Sequence, residues 1–88
     1  MIRQRINFFG NVQGVGFRYT ACSIVHGFDI SGYVCNRSNG SVELVAEGKR
    51  EEIERFLVLL RDRMSGHIDR EETAEQPATG EFDGFRIR

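Results

Sequence analysis

Apolar and polar residues follow two different periods along the chain, and these periods predict its strands and helices. Residues 2–9 alternate between apolar and polar side chains, apart from Gln4, which is typical of a strand with one buried face. Apolar residues then recur with helical spacing over residues 17–28 and again over residues 53–64. The first stripe comprises Phe17, Ala21, Ile24, Val25 and Phe28, and the second comprises Ile53, Phe56, Leu57, Leu60 and Met64. The pattern therefore predicts an initial strand and two amphipathic helices.

The segments between and after the helices predict further strands. Residues 30–37 and 41–47 are strand-like and flank Asn39-Gly40, the strongest short signal for a β-hairpin. Residues 67–73 predict a polar strand with a single apolar side chain, which favours a position at the edge of a sheet. The two helices are thus separated by a hairpin and followed by an edge strand.

The end of the chain completes the predicted fold. Residues 75–80, which include the only proline, predict a loop, and residues 82–88 predict a closing strand. This order is that of an α+β, ferredoxin-like split β-α-β sandwich, with an antiparallel sheet of four or five strands and two helices on one face. Right-handed crossovers would place the first and third strands side by side. We expect residues 1–88 to form a single domain, whose function must be argued from its site.

Composition narrows the possible partners and compartments. The net charge is −1, which argues against a basic surface for nucleic acid. There is no leader-like start and no apolar run near 18 residues, so we expect a cytoplasmic protein that does not enter a membrane. Cys22 and Cys35 could pair, although a reducing cytoplasm favours two free thiols. No cluster has the spacing of metal ligands, and we expect neither a metal nor another cofactor.

Residues 10–18 are the strongest candidate for chemistry, because they place three glycines and Arg18 between a strand and a helix. Glycine allows the backbone to turn tightly, and a turn that enters a helix directs free N–H groups towards an anion. A guanidinium adds a planar fork that matches phosphate oxygens. The alternative is a tight turn with Arg18 in a surface ion pair. The segment matches neither the Walker motif nor the dinucleotide fingerprint.

The amino-acid sequences of three segments are a more specific signal than the glycine pattern alone, and they closely resemble those of the acylphosphatases. The segments are Gly10-x-Val12-Gln13-Gly14-Val15-Gly16-Phe17-Arg18, Gly32-Tyr33-Val34-Cys35-Asn36 and Gly40-Ser41-Val42-Glu43. The resemblance extends over essentially the full length of the chain. It implies an enzyme that hydrolyses the carboxyl–phosphate bond of acyl phosphates to carboxylate and inorganic phosphate, by in-line attack of water and without a metal.

The resemblance also implies the site residues. The phosphate-binding loop would comprise Gln13, Gly14, Val15, Gly16, Phe17 and Arg18. Arg18 would bind the phosphoryl oxygens alongside loop N–H groups, and Asn36 would hold the attacking water. Because a carboxylate leaves readily from an acyl phosphate, positioning and charge neutralisation would suffice for catalysis. Cys35, Tyr33 and Arg37 depart from residues that are common in the family at these positions, without affecting Arg18 or Asn36.

Two other functions remain as alternatives to the enzyme. RNA-recognition domains share the order of strands and helices, but their aromatic signature is absent from the third predicted strand. The second alternative is a non-catalytic or accessory relative of the acylphosphatases. The favoured hypothesis is an enzyme for a small acyl phosphate, acting as a monomer without nucleic acid or membrane.

Overall fold

The seven elements of the structure follow the order that the apolar pattern predicts. The structure is a computed structural model that describes all residues, 1–88. The elements are β1 (Ile2–Gly10), α1 (Phe17–Val25), β2 (Ile30–Asn36), β3 (Val42–Gly48), α2 (Arg50–Arg63), β4 (Ile68–Pro77) and β5 (Phe85–Ile87). None of the helices is long and apolar enough to cross a membrane.

The strands form one sheet in the order β4-β1-β3-β2-β5. The predicted neighbours, the first and third strands, are paired, and β4 lies at an edge. Residues 75–77 continue β4 instead of forming a loop, because an edge strand tolerates Pro77. The first four strands are antiparallel, as predicted, but β5 pairs with β2 in parallel, so the sheet is mixed. β4 ends at the end of the sheet where β2 begins. After residues 78–84, β5 therefore starts at that end and runs in the same direction as β2.

Both helices pack on one face of the sheet and bury the predicted stripes. The core contains 17 buried apolar residues drawn from both helices, the first three strands and the loop before α1. The ring of Phe56 in α2 lies 6.2 Å from those of Phe28 and Phe85 between centroids. The ring of Phe8 in β1 lies 4.9 Å from that of Phe17, the first residue of α1. This last contact fixes the start of α1 against the sheet, directly before Arg18.

Residues 78–84 cross the other face of the sheet, where Glu47 anchors them. The Glu47 carboxylate accepts hydrogen bonds from the backbone N–H groups of Thr79 and Gly80, each at 2.9 Å, and from Arg3 Nε at 2.6 Å. Glu47 is 4% exposed. Burial by itself raises its pKa, but the two N–H groups and Arg3 outweigh burial and lower the pKa from 4.5 to about 2. The ionised carboxylate thus holds the final crossover against the sheet.

We expect this anchor to weaken in acid. Because the pKa of Glu47 is lower in the folded chain, its contribution is complete above about pH 4.5 and is lost as pH falls towards about 2. The shift corresponds to at most about 3 kcal/mol of unfolding free energy. In urea unfolding across this range, the free energy of unfolding of Glu47→Gln should depend less on pH than that of the wild type. Glu54→Gln, at an exposed position of α2, is the control. Equal pH dependence in Glu47→Gln and the wild type would contradict the assignment.

Candidate active site

The loop between β1 and α1 presents a row of free backbone N–H groups. Gly14 and Gly16 adopt left-handed conformations, with φ of +76° and +79°, which strain any other residue. No N–H of residues 11–16 donates a hydrogen bond within the chain. Gly16 precedes α1 without a capping side chain, and the first helical bond runs from Thr20 N–H to Gly16 O at 2.9 Å. The loop and the first turn of α1 can therefore donate several hydrogen bonds to one anion.

Apolar side chains anchor both ends of this loop. Val12 is fully buried, and Phe17 is 2% exposed beneath the helix. Val15 is partly buried and packs against the core. Gly14 and Gly16 lie exposed between these anchors. The loop is thus held by its side chains while its peptide groups stay accessible.

The side chain of Gln13 connects the loop to the turn after β2. Its amide nitrogen Nε2 donates hydrogen bonds to the backbone oxygens of Arg37, at 2.8 Å, and Ser41, at 2.9 Å. The sequence places Gln13 in the phosphate-binding loop, but Gln13 does not line the pocket described below. Only its backbone N–H is free for an anion. The amide instead joins two segments that are far apart in sequence.

Asn36 is the last residue of β2 and leads into a tight turn. The hairpin predicted from Asn39-Gly40 is confirmed, with Gly40 at φ +90° and its N–H donating to Arg37 O at 3.1 Å. The Asn39 side-chain oxygen accepts hydrogen bonds from the backbone N–H of Ser41, at 3.0 Å, and from its hydroxyl, at 2.6 Å. This bonded turn gives Asn36, which is exposed, a defined position at the end of the strand.

Arg18 and Asn36 meet in one pocket of about 220 Å³. Of the predicted site residues, Gly14, Gly16, Phe17, Arg18 and Asn36 line it, whereas Gln13 and Val15 do not. No carboxylate lies within 4.0 Å of the Arg18 guanidinium, so the surface ion pair considered as an alternative is not formed. The same small space is therefore lined by Arg18, whose guanidinium has no ion-pair partner, by two glycines with free N–H groups, and by Asn36.

Three residues of the pocket are not predicted from the sequence. Val12, Tyr19 and Ile87 also line it. Ile87 reaches the site because β5 pairs with β2 and places Ile87 opposite Val34, two residues before Asn36. The alternation over residues 82–88 signals a strand but not its neighbour. Tyr19 is next to Arg18 in sequence, which is the only signal that could have indicated it.

The remaining candidates for chemistry lie outside the pocket. Cys22 and Cys35 are both free and partly buried, and burial raises the pKa of each thiol. For Cys35, the nearby Glu43 carboxylate raises the pKa further. No group of three or more His, Cys, Asp or Glu side chains is arranged to hold a metal ion.

A family model described as "Acylphosphatase" matches residues 4–87, which are nearly the whole chain and include every residue that lines the pocket. The chain belongs to the acylphosphatase family. An acylphosphatase of Paenarthrobacter aurescens (strain TC1) is 39% identical over 87 residues, which cover 98% of this chain and 93% of that protein. The resemblance predicted from the three sequence segments is therefore confirmed.

Solved structures agree with the family in fold. The crystal structure of acylphosphatase from Bacillus subtilis matches with a TM-score of 0.90 at 29% identity, covering 100% of this chain and 99% of that one. T. kodakarensis HypF matches with a TM-score of 0.84 at 36% identity, but this chain spans only 12% of that chain. The α+β, ferredoxin-like fold predicted from the order of elements is confirmed, and the acylphosphatase from Bacillus subtilis shares it. The chain is an enzyme of this type, which hydrolyses the carboxyl–phosphate bond of acyl phosphates. Neither the RNA-binding module nor the non-catalytic relative is favoured.

Proposed function

We propose that this acylphosphatase acts without a metal, by binding the phosphoryl group in the loop before α1 and directing a water held by Asn36 at phosphorus. The observation that carries the proposal is that Arg18 and Asn36, from different elements, line the same pocket. The substrate is a small acyl phosphate, and the products are a carboxylate and inorganic phosphate.

The phosphoryl group would bind where positive charge and donors are free. The guanidinium of Arg18 has no carboxylate partner, and the loop N–H groups have no acceptor within the chain. The N-terminus of α1 adds a partial positive charge. Such preorganised donors stabilise charge on the transferring phosphoryl oxygens without reorganising during the reaction.

Asn36 would orient the water, but it cannot deprotonate it. An amide side chain is not a base near neutral pH, and the pocket lining contains no His, Cys, Asp or Glu. The water oxygen forms a bond to phosphorus while the bond from phosphorus to the acyl oxygen breaks. The proton of the water passes to a phosphoryl oxygen, and the carboxylate leaves with the bonding electrons.

The proposal extends to the setting in which the enzyme works. We infer a monomer, because a single chain already combines Arg18, the glycine loop and Asn36 in one pocket, so the proposed chemistry needs no residue from a second copy. A net charge of −1 supports action without nucleic acid. Two free thiols are the state that a reducing cytoplasm maintains, which supports a cytoplasmic enzyme.

Hydrolysis of benzoyl phosphate in ¹⁸O-labelled water tests the mechanism directly. Attack at phosphorus places the label in inorganic phosphate, whereas attack at the carbonyl carbon would place it in benzoate. Turnover should be the same in the presence of a strong chelator. Label in benzoate would exclude the proposed attack at phosphorus, and loss of turnover on chelation would exclude a metal-independent mechanism.

We also expect Gln13→Leu to reduce kcat by about tenfold to a hundredfold with little change in KM. The leucine is similar in size but cannot bind Arg37 O and Ser41 O, so the turn after Asn36 would lose its connection to the phosphate loop. Gln76→Leu, at an exposed position of β4, is the control. Wild-type kcat in Gln13→Leu would show that this connection does not position Asn36.

A further inference from the structure

Besides its polar side, the pocket has an exposed apolar rim. Tyr19 is 76% exposed and Ile87 is 45% exposed, so both offer surface that a ligand can cover. They are two of only five large apolar side chains that the fold leaves exposed. Val12 and Phe17 also line the pocket but are buried, and they offer little surface to a ligand.

The polar and apolar parts of the pocket match the two ends of an acyl phosphate. The phosphoryl end carries the negative charge and suits Arg18 and the glycine N–H groups. The acyl end carries no charge in the simplest substrates. Arg18 is the only charged residue that lines the pocket. Because Arg18 would already bind the phosphoryl group, a second negative charge on the acyl group would find no cationic partner in the lining.

We propose that Tyr19 and Ile87 form the acyl subsite, and that the enzyme prefers compact, uncharged, apolar acyl groups. This inference rests on the proposed function, because it assumes that the phosphoryl group lies against Arg18. The pocket of about 220 Å³ is smaller than the roughly 300–1,000 Å³ typical of sites for drug-sized ligands. An aromatic ring or a short branched chain suits this space, and the aromatic face of Tyr19 can pack against either.

The test compares kcat/KM for benzoyl, isobutyryl, acetyl and succinyl phosphates. Succinyl phosphate carries a second carboxylate and should be the poorest substrate after correction for uncatalysed reactivity. Tyr19→Ser and Ile87→Ser should each lower the ratio of kcat/KM for benzoyl to acetyl phosphate by about fivefold to tenfold relative to the wild type. Comparing the variants by this ratio removes the intrinsic reactivity of the substrates.

Two measurements separate an acyl subsite from a general loss of structure. Leu59→Ser, on α2, removes an apolar side chain that is 46% exposed, against 45% for Ile87, and should leave the ratio unchanged. The inhibition constant for inorganic phosphate, which has no acyl group, should also be unchanged in Tyr19→Ser. Because Tyr19 is largely exposed, Tyr19→Ser should fold normally. The test therefore stays valid even if Ile87→Ser destabilises β5.

The outcomes distinguish this inference from the proposed function. Wild-type ratios in both Tyr19→Ser and Ile87→Ser, with all four substrates hydrolysed, would contradict the acyl subsite alone. An equal change of the ratio in Leu59→Ser would contradict it as well. Failure of the wild type to hydrolyse any of the four substrates would overturn the proposed function and the acyl subsite together.

Discussion

Replacing Arg18 with alanine is expected to lower kcat/KM for benzoyl phosphate by a few hundredfold to a thousandfold, or about 3–4 kcal/mol of transition-state stabilisation. The guanidinium is the only charged group that lines the pocket. Its loss would leave the negative charge of the transferring phosphoryl group to the loop N–H groups alone. Because the same group would also bind the phosphoryl group in the ground state, affinity for inorganic phosphate should fall too.

This loss would not arise from unfolding. Arg18 makes no side-chain hydrogen bond or ion pair within the chain, so the urea midpoint of Arg18→Ala should match that of the wild type. Arg18→Lys keeps the charge but not the planar fork and should be intermediate in activity. Arg63→Ala, at an exposed arginine of α2, serves as the control. Near wild-type turnover in Arg18→Ala would remove Arg18 from the mechanism.

Replacing Asn36 with alanine is expected to have the second largest effect, a decrease in kcat of about a hundredfold or more. Its amide would hold the water and not the phosphoryl group, so the inhibition constant for inorganic phosphate should change little. This division separates Asn36 from Arg18, for which both catalysis and phosphate affinity should fall. Steady-state kinetics with benzoyl phosphate, together with inhibition by phosphate, measure both quantities.

Two further variants test whether the effect is specific to the amide of Asn36. Asn36→Asp is similar in shape but places a negative charge beside the phosphoryl site, and both kcat and phosphate affinity should fall. Asn11→Ala removes an exposed amide from the same loop as Gly14 without touching the pocket lining. If Asn36→Ala weakened phosphate binding as strongly as Arg18→Ala, Asn36 would belong to the phosphoryl site instead of to the water.

Much of the fold follows from local features of the chain. Alternation over residues 2–9 and helical spacing over residues 53–64 are properties of neighbouring residues, and the structure reproduces β1 and α2 at these positions. The Asn39-Gly40 hairpin depends on the conformations that two residues favour, and it forms as predicted. Handedness then places β1 beside β3, because few arrangements of a split β-α-β unit are compatible with right-handed crossovers.

The contacts that hold the last part of the chain, residues 78–87, have no signal in the local sequence. Glu47 lies in a strand that alternates like any other, and only the crossover of residues 78–84 gives its carboxylate the N–H groups of Thr79 and Gly80. β5 is short, and its parallel pairing with β2 follows from the end of the sheet at which the chain arrives. Such pairings join residues that are far apart in sequence, so no window of the chain contains them.

Short motifs and local periods were enough to predict the order of elements, the family, and Arg18 and Asn36 as candidates. How these parts combine became visible only in the folded chain. Folding places Arg18 and Asn36 in one pocket, directs the Gln13 amide to the turn after β2 instead of to that pocket, and adds Ile87 to the rim. These features depend on strand order and side-chain direction, which are settled only when distant segments pack together.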